Sequence, residues 1–225
     1  MFGDMMQQFN IWAAFWLTIR LAFFGAIGAL VIGTVVAIFR VSPVPSLRFF
    51  GAAYVNIIRN TPLTLILFFC IFALGNAMGL HLMPSSSTLE LQSLSWSVAA
   101  IAVYHASFVA EALRSGVNTV PQGQAEAGRA IGLGFLDSLR YVVLPQAFRG
   151  AIAPLGNVMI ALTKNTTVAA TVGVAEAAAT MKSMIEFFPN FLYLIFGMVA
   201  LGFIILTLPT GLFFTWLSKR ASVRR

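Results

Sequence analysis

The chain has 225 residues, of which 59% are hydrophobic and 9% are charged, whereas about 25% are charged in ordinary soluble domains. So few charges cannot cover a soluble domain of this length, and the composition also excludes a disordered chain, a collagen and a disulfide-rich scaffold. One cysteine, Cys70, excludes an internal disulfide, and the two histidines, His81 and His105, match no metal-ligand spacing.

Five apolar segments are each long enough for a helix that crosses about 30 Å of hydrocarbon. They predict transmembrane helices at roughly 11–39, 55–80, 95–116, 150–175 and 190–217. Backbone polar groups find no water in lipid, so only helices or a closed barrel can span it, and these segments lack the alternation of a barrel. We therefore expect an all-α polytopic membrane protein with a single transmembrane domain.

Lysine and arginine are distributed unequally between the alternate connections. If the N-terminus is outside, the inner segments receive eleven basic residues, and the outer segments 81–94 and 176–189 receive only Lys182. The positive-inside rule therefore predicts an outer N-terminus and a cytoplasmic C-terminus. The net charge of +7 sets this topology, and we expect no nucleic-acid partner. No small-residue cleavage pattern follows the first apolar segment, so we expect that helix to remain as an anchor.

The spacing of Gly25, Gly28 and Gly33 in the first span predicts close packing against another helix. The connection that follows has a turn at Pro43–Pro45 and then Leu47–Ile58, which is apolar enough to lie at the cytoplasmic interface. Four polar or helix-breaking residues come next: Arg59, Asn60, Thr61 and Pro62. Since proline lacks a donor and disfavours helical geometry in the preceding residue, we expect an interruption there, with a lining or gating role as an open alternative.

Near the cytoplasmic end of the third span, Glu111 and Arg114 lie one helical turn apart. An i,i+3 ion pair and a gating role are the two interpretations, and the ion pair is the simpler. The long inner segment 118–149 follows. Its pattern predicts one helix after Pro121 that Gly132 and Gly134 close, and a second amphipathic helix from Phe135 that Pro145 ends. On this pattern alone, the segment could be a surface hairpin that only joins two spans.

The fourth span contains one charged residue, Lys164, which lies 14 residues after Gly150. A rise of about 1.5 Å per residue places Lys164 roughly 21 Å along the helix, near the middle of the bilayer. Charges at that depth usually face a water-filled path or pair with a partner subunit, and both alternatives stay open. We expect the path to be lined by Lys164 together with four neighbouring polar residues: Ser107, Asn165, Thr166 and Thr167.

The inner segment also carries a specific motif. It reads Glu126-Ala127-Gly128, three residues, Gly132, nine residues, then Val142-Val143-Leu144-Pro145. This resembles the EAA loop of bacterial ABC importer permeases, in which Glu-Ala-Ala is followed at the same spacing by Gly and by Ile, any residue, Leu and Pro. The departures are Gly128 for the second alanine and Val142 for isoleucine.

Further stretches resemble the polar amino acid branch of these permeases, and most closely the actinobacterial glutamate permeases. They are Arg59-Asn60-Thr61-Pro62-Leu63, Ala110-Glu111 with Arg114, and Lys164-Asn165-Thr166-Thr167. The last motif commonly reads Lys-Asp-Thr-Ser in that branch, so Asn165 replaces an acidic residue here. An amide beside Lys164 removes a repulsion of anionic side chains, which favours glutamate or aspartate over neutral or basic amino acids.

The resemblance implies a type I ABC importer fold and a transport subunit rather than an enzyme. It implies a cytoplasmic coupling loop gripped by a separate ATPase that carries ATP and Mg, through six residues: Glu126, Ala127, Gly128, Gly132, Leu144 and Pro145. This chain has no Walker A motif, so we expect no cofactor in it. The other implied partners are a second permease chain, identical or different, an extracellular or periplasmic amino-acid-binding protein, and the lipid of a bacterial plasma membrane.

Two competing functions are weighed against this one. An ion-driven amino acid carrier would use Lys164 and Glu111 to relay charge, and the inner motif argues against it. An intramembrane enzyme would need a nucleophile beside a positioned base, and neither a GxSxG nor an HExxH motif occurs. Within the importer, glutamine or another neutral or basic amino acid is the alternative substrate.

Overall fold

The computed structural model describes residues 2–221, apart from the side chains of Phe2, Asp4, Gln122, Ala125, Phe135 and Leu136. Over that range the chain is helical, with no strand. The α-helices are α1 (Phe2–Gln8), α2 (Ile11–Val41), α3 (Pro45–Arg59), α4 (Leu63–Phe68), α5 (Leu89–Asn118), α6 (Gln122–Ala130), α7 (Phe135–Ser138), α8 (Leu144–Asn165), α9 (Ala177–Phe187) and α10 (Leu192–Ala221). Phe69–Ala77 and Leu139–Val143 are π-helical, and Thr166–Val172 and Pro189–Phe191 are 3₁₀-helical.

The centre of the bundle is the contact of α2 with α5, which glycines on α2 make possible. A Cβ built on Gly28 would lie 2.7 Å from the Cβ of Ala102, and one on Gly33 would lie 2.6 Å from the Cβ of Val109. Only a residue without a side chain fits at these positions, so the predicted packing role of these glycines, with Gly25, is confirmed.

The directions of the long helices alternate as successive spans require. Because Gly25 faces Ile101 and Gly33 faces Val109, α2 and α5 run parallel. By contrast, α8 runs antiparallel to α5, since Gly116 approaches Ala147 near the end of α5 and the start of α8. The end of α2, the end of α5 and the start of α8 therefore meet at one end of the bundle, which carries most of the arginines.

Helix α3 lies across this end of the bundle, at 102° to the helical segment Leu63–Ala77. Its Val55 is buried and its Tyr54 hydroxyl donates to the carbonyl of Val103, 2.7 Å away, which ties α3 to α5. The predicted interruption is confirmed at residues 60–62. The predicted second span, residues 55–80, is not one continuous helix, because the chain turns at Pro62 and a new helix begins at Leu63.

The second helix of the inner segment does not end at Pro145. The chain is helical from Phe135 through the π turn Leu139–Val143 into α8, and Pro145 lies in the first turn of α8. The π turn shifts the hydrogen-bond register just before the proline, so the missing donor and the ring are accommodated. The predicted boundary between the inner segment and the fourth span at residues 149–150 is therefore absent from the backbone.

The fourth span also ends earlier than residue 175. From Thr166 onward the helix tightens to 3₁₀ geometry, and Gly173 closes it with a left-handed φ of +82°. Residues 176–189, predicted as an outer loop, contain α9. The buried carboxylate of Glu176 caps α9 by accepting from the N–H groups of Ala178 and Ala179, and the hydroxyl of Thr18 donates to it.

Three helical stretches are long and apolar enough to cross a membrane: Ile11–Val41, Leu89–Asn118 and Pro189–Ala221. Two bent pairs add one crossing each if each pair forms a single span, namely Pro45–Arg59 with Leu63–Ala77, and Leu139–Val172 with Ala177–Phe187, which meet at 55°. The total of five agrees with the number of spans expected. At the end opposite the arginines, Met5 of α1 packs on Met184 of α9 and Ile195 of α10.

Candidate functional site

The inner motif folds into a tightly terminated helix. Gly132 has a φ of +91° and follows the last residues of α6. The N–H of Gly132 donates to the carbonyl of Arg129, at 3.0 Å, and the N–H of Leu133 donates to the carbonyl of Gly128, at 3.1 Å. This is a Schellman termination, which requires a residue that tolerates left-handed geometry. The four-residue spacing of Gly128 and Gly132 therefore matches this helix end, in which Gly128 supplies the carbonyl acceptor and Gly132 adopts the left-handed conformation.

Gly128 is also the place where α6 packs on the helix that follows. A Cβ there would lie 3.3 Å from Ser138 Oγ and 3.5 Å from both Leu133 Cδ1 and Val142 Cγ2. Val142 is one of the apolar positions of the second amphipathic helix, with Leu139 and Val143; the side chains of Phe135 and Leu136 lie outside the described ones. The Val142 side chain packs on Gly128 and so holds α6 against this helix.

The outward surface of α6 carries the rest of the motif. Glu126 and Ala127 are exposed, and Glu126 has no ion-pair partner among the described side chains. Leu144 and Pro145 are exposed as well. Sequence reasoning missed Ile131, which is 81% exposed beside Gly132. An exposed aliphatic side chain between two motif glycines is the signal that could have identified it.

The five residues expected along a polar path do not share one environment. Lys164 is exposed, and Asn165 and Thr167 are half-buried. Thr166 and Ser107 are fully buried, and their hydroxyls donate to the carbonyls of their own helical turns, at Thr163 and Tyr104. Lys164, Asn165 and Thr167 therefore lie at the surface of the chain, whereas Ser107 and Thr166 lie in its interior.

Asn165 contacts a histidine that sequence reasoning dismissed. His105 is 1% exposed; its Nδ1 lies 2.9 Å from the carbonyl oxygen of Ile101, and its Nε2 lies 3.1 Å from Nδ2 of Asn165. A carbonyl oxygen only accepts, so Nδ1 carries the proton and Nε2 of the neutral ring accepts from the amide. The imidazole thereby fixes the orientation of the Asn165 side chain. No linear motif could reveal this pair, because the two residues lie 60 positions apart.

Arg59 lies at the break between α3 and α4, over the ring of Phe108, with 5.3 Å between its guanidinium carbon and the ring centroid. Both line a cavity of about 270 Å³ with Glu111 and with Asn157 of α8. Asn157 is exposed and lies two helical turns before Lys164, so the two side chains share a face of α8. Sequence reasoning missed Phe108 and Asn157.

The other residues of the break do not line that cavity. Asn60 Nδ2 donates to the carbonyl of Asn56 at 2.7 Å, and the Thr61 hydroxyl donates to that of Ile57 at 2.8 Å. Both side chains therefore terminate α3, and Pro62 precedes the first residue of α4. Of the four residues at the break, only Arg59 lines the cavity, and of the two other candidates for a gating or structural role, Glu111 lines it and Arg114 does not.

Glu111 joins two arginines rather than one. Arg114 Nη2 lies 2.6 Å from Glu111 Oε1, which is the predicted i,i+3 ion pair, and Arg40 of α2 pairs with Oε2 of the same carboxylate. Sequence reasoning counted Arg40 only as a topological charge. The carboxylate links the ends of α2 and α5 and leaves the cluster with one net positive charge.

Residues 8–223 match the family model of the binding-protein-dependent transport system inner membrane component. This chain belongs to that family. The permease is 50% identical over 214 residues to the glutamate transport system permease protein GluC of Corynebacterium glutamicum, and 49% identical over the same length to GluC of Corynebacterium efficiens. Each alignment covers 94% of both proteins. The resemblance to actinobacterial glutamate permeases is therefore confirmed.

The fold of the permease also matches a solved structure. The crystal structure of an amino acid ABC transporter with histidines superimposes with a TM-score of 0.80 over 93% of both chains, at 22% sequence identity. At that identity the match concerns the fold alone, and it confirms the expected importer fold. The permease is a membrane transport subunit. Four residues of its motif are exposed, namely Glu126, Ala127, Leu144 and Pro145, and Arg59, Asn157 and Lys164 form an exposed polar strip on the outside of a glycine-packed bundle.

Proposed function

We propose that this permease forms the translocation path for an acidic amino acid, with glutamate as the substrate. The observation that carries the proposal is its identity of 49–50%, over 94% of both chains, to two proteins named as glutamate transport permeases. The alternative substrates, glutamine and other neutral or basic amino acids, become outcomes of the test below.

The surface chemistry supports an anionic substrate. Two cations, Arg59 and Lys164, lie on exposed polar surface, and Asn157 lies on the same face of α8 as Lys164. Asn165 brings an amide where the branch motif has a carboxylate, and His105 holds its Nδ2 inward. Lys164 has no carboxylate partner among the described side chains, so its charge remains available to attract a carboxylate substrate. We place the path along this strip, which a second permease chain covers.

The exposed surface of α6 is the proposed contact for a separate ATPase, which binds ATP and Mg. A short helix that ends in a Schellman turn and rests on Val142 is a rigid knob. Ile131 and Ala127 give it an apolar surface, and Glu126 gives it a free carboxylate for a basic partner. Because the helix that supports α6 continues into α8, a displacement of α6 reaches Lys164 through one helical rod.

The proposed orientation places the arginine-rich end of the bundle in the cytoplasm and the N-terminus outside. Seven arginines and three acidic residues lie in segments 40–59 and 111–149, which the positive-inside rule assigns to the cytoplasm. The opposite end, where α1 packs on α9, then faces an amino-acid-binding protein that delivers the substrate.

The decisive experiment is uptake of radiolabelled glutamate by cells that lack this gene and by the same cells with the gene restored. Excess aspartate, glutamine and arginine are added in parallel as competitors. We expect glutamate uptake to be lost on deletion, restored with the gene and inhibited by aspartate. Unchanged glutamate uptake together with loss of another amino acid would refute the acidic substrate, and uptake that survives removal of the ATPase would refute the importer mechanism.

A further inference from the structure

An apolar groove lies at the arginine-rich end of the bundle, between the last turns of α2 and α5 and the start of α8. It encloses about 450 Å³. Aliphatic and aromatic side chains line it, and among its described lining residues Arg114 alone is charged. Ile38, Leu144 and Phe148 on its walls are 55%, 46% and 59% exposed, so these side chains are available to an apolar molecule outside this chain.

The cation in this groove is incompletely neutralised. Glu111 is shared between Arg40 and Arg114, so one carboxylate serves two guanidinium groups. Arg114 gives one donor, on Nη2, to Glu111, and its buried Nε has no hydrogen-bond partner among the described atoms. Its side chain is 35% exposed. An excess positive charge next to an apolar surface at the edge of a membrane attracts an anion.

The surroundings of the groove increase this attraction. Arg48, Arg129, Arg140 and Arg149 are exposed at the same end of the chain, in the segments where seven arginines face three acidic residues. The ligand that suits a hydrocarbon wall, a nearby cation and a basic surface is an amphiphile with an anionic head, and basic pockets between membrane helices bind such lipids.

We propose that this groove binds an acyl chain of an anionic phospholipid whose phosphate pairs with Arg114. The proposal depends on membrane insertion and not on which amino acid is transported. The acyl chain lies between α2 and α8 along Ile38 and Leu144, and the phosphate compensates the surplus charge of the Arg40–Glu111–Arg114 cluster. The lipid thereby fills a gap between the end of α2 and the helical rod that carries α6.

The test uses the intact transporter purified from membranes in detergent and incubated with either palmitoyl-oleoyl phosphatidylglycerol or phosphatidylcholine. Native mass spectrometry counts the lipids that remain bound. We expect roughly fivefold more phosphatidylglycerol than phosphatidylcholine to remain bound, which is the usual effect of one basic side chain on binding to an anionic lipid. Equal retention of the two lipids would overturn the assignment of an anionic headgroup.

Two variants separate the groove from general lipid adhesion. Val41→Trp fills the groove and keeps all three side chains of the ion-pair cluster, and Val35→Trp places the same side chain on an exposed position of α2 outside the groove. We expect Val41→Trp to lose the bound phosphatidylglycerol and Val35→Trp to retain it. Equal retention by the two variants, or loss of a protein subunit from the complex with Val41→Trp alone, would overturn the proposal; subunit loss would assign the groove to a protein contact.

Arg114→Gln tests the headgroup separately from the acyl chain. We expect this variant to keep its bound lipid but to lose the preference for phosphatidylglycerol over phosphatidylcholine. An undiminished preference would exclude Arg114 as the phosphate partner. Should Arg114→Gln fail to assemble, the comparison of Val41→Trp with Val35→Trp still decides the proposal, because neither of those variants removes a charged side chain.

Discussion

His105 Nε2 accepts a hydrogen bond from Asn165 Nδ2 at 3.1 Å, while Nδ1 of the same ring donates to the carbonyl of Ile101. This chain of bonds has one direction, since the carbonyl can only accept and the neutral imidazole has one donor. The branch motif that this segment resembles commonly has an aspartate where this chain has Asn165. The neutral ring and the amide suit each other, whereas a carboxylate at residue 165 would pair with this ring only after the ring takes up a second proton.

The first prediction concerns that match. Asn165→Asp places a carboxylate opposite Nε2, so the buried ring either loses this hydrogen bond or takes up a proton. We expect glutamate uptake to fall roughly tenfold or more, because either change to a buried polar group costs about 1–3 kcal/mol. Repulsion of an anionic substrate acts in the same direction. Initial uptake rates at matched membrane levels measure the effect, and Thr171→Val, a change of an exposed hydroxyl in the following 3₁₀ segment, is the control. An Asn165→Asp rate equal to that of the control would contradict the prediction.

The second prediction tests the charge of Lys164. Lys164→Ala should leave assembly intact and reduce glutamate transport about tenfold to a hundredfold, the range for one lost charged hydrogen bond. Lys164→Arg should retain more transport than Lys164→Ala, since it preserves the cation. Transport rates and the subunit composition of the purified complex are both measured. A complex that dissociates with Lys164→Ala would show that the lysine pairs with a neighbouring subunit rather than facing the path.

The sequence predicted some of these features because their causes are local. Pro62 follows two residues whose side chains bond back to α3 and disfavours helical geometry in the residue before it, and the positive φ of Gly132 follows from its place after a helix. The prediction that Pro145 ends a helix was wrong, although it also used a local rule. The π turn before Pro145 lets the helix continue, and the spacing of the apolar residues does not reveal that turn. The pairing of His105 with Asn165 depends on how two distant helices pack, and only the folded chain brings them together.

The third prediction compares two glycines of the inner motif. Gly132→Ala should destabilise the knob by about 1–2 kcal/mol, because an L-residue there must adopt a left-handed conformation. Gly128→Ala should cost less, since residue 128 keeps ordinary helical geometry and the new Cβ comes no closer than 3.3 Å to the Ser138 hydroxyl. The amount of ATPase that co-purifies with each glycine variant measures the effect. Glu126→Lys, which reverses the exposed charge on α6, should also reduce the amount of co-purified ATPase. If less ATPase co-purifies with Gly128→Ala than with Gly132→Ala, the left-handed turn at Gly132 is not what holds α6 in place.

The fourth prediction concerns the contact of α2 with α5. Gly28→Val should destabilise the protein by about 1–3 kcal/mol, the usual cost of overfilling a packed interface, because the Ala102 side chain lies only 2.7 Å from the position of the new Cβ. Gly197→Val is the matched control, since nothing lies within 4 Å of that Cβ on α10. The unfolding temperatures of the two variants in detergent are compared, with size-exclusion chromatography as the readout of folded protein. Equal unfolding temperatures would mean that α2 moves away from α5 at no cost.

The fifth prediction follows from the sharing of Glu111 by two arginines. Removing the carboxylate with Glu111→Gln leaves Arg40 and Arg114 facing each other without compensation, whereas Arg114→Gln leaves a complete pair of Arg40 with Glu111. Loss of the shared anion is the more costly change, because two partly buried like charges repel and neither has another acidic partner among the described residues. We therefore expect Glu111→Gln to lower the unfolding temperature more than Arg114→Gln does.

The double variant Arg40→Gln with Glu111→Gln should recover part of the loss, since it removes one of the two repelling charges. A greater loss with Arg114→Gln than with Glu111→Gln would mean that the i,i+3 pair, rather than the link between α2 and α5, stabilises this end of the bundle.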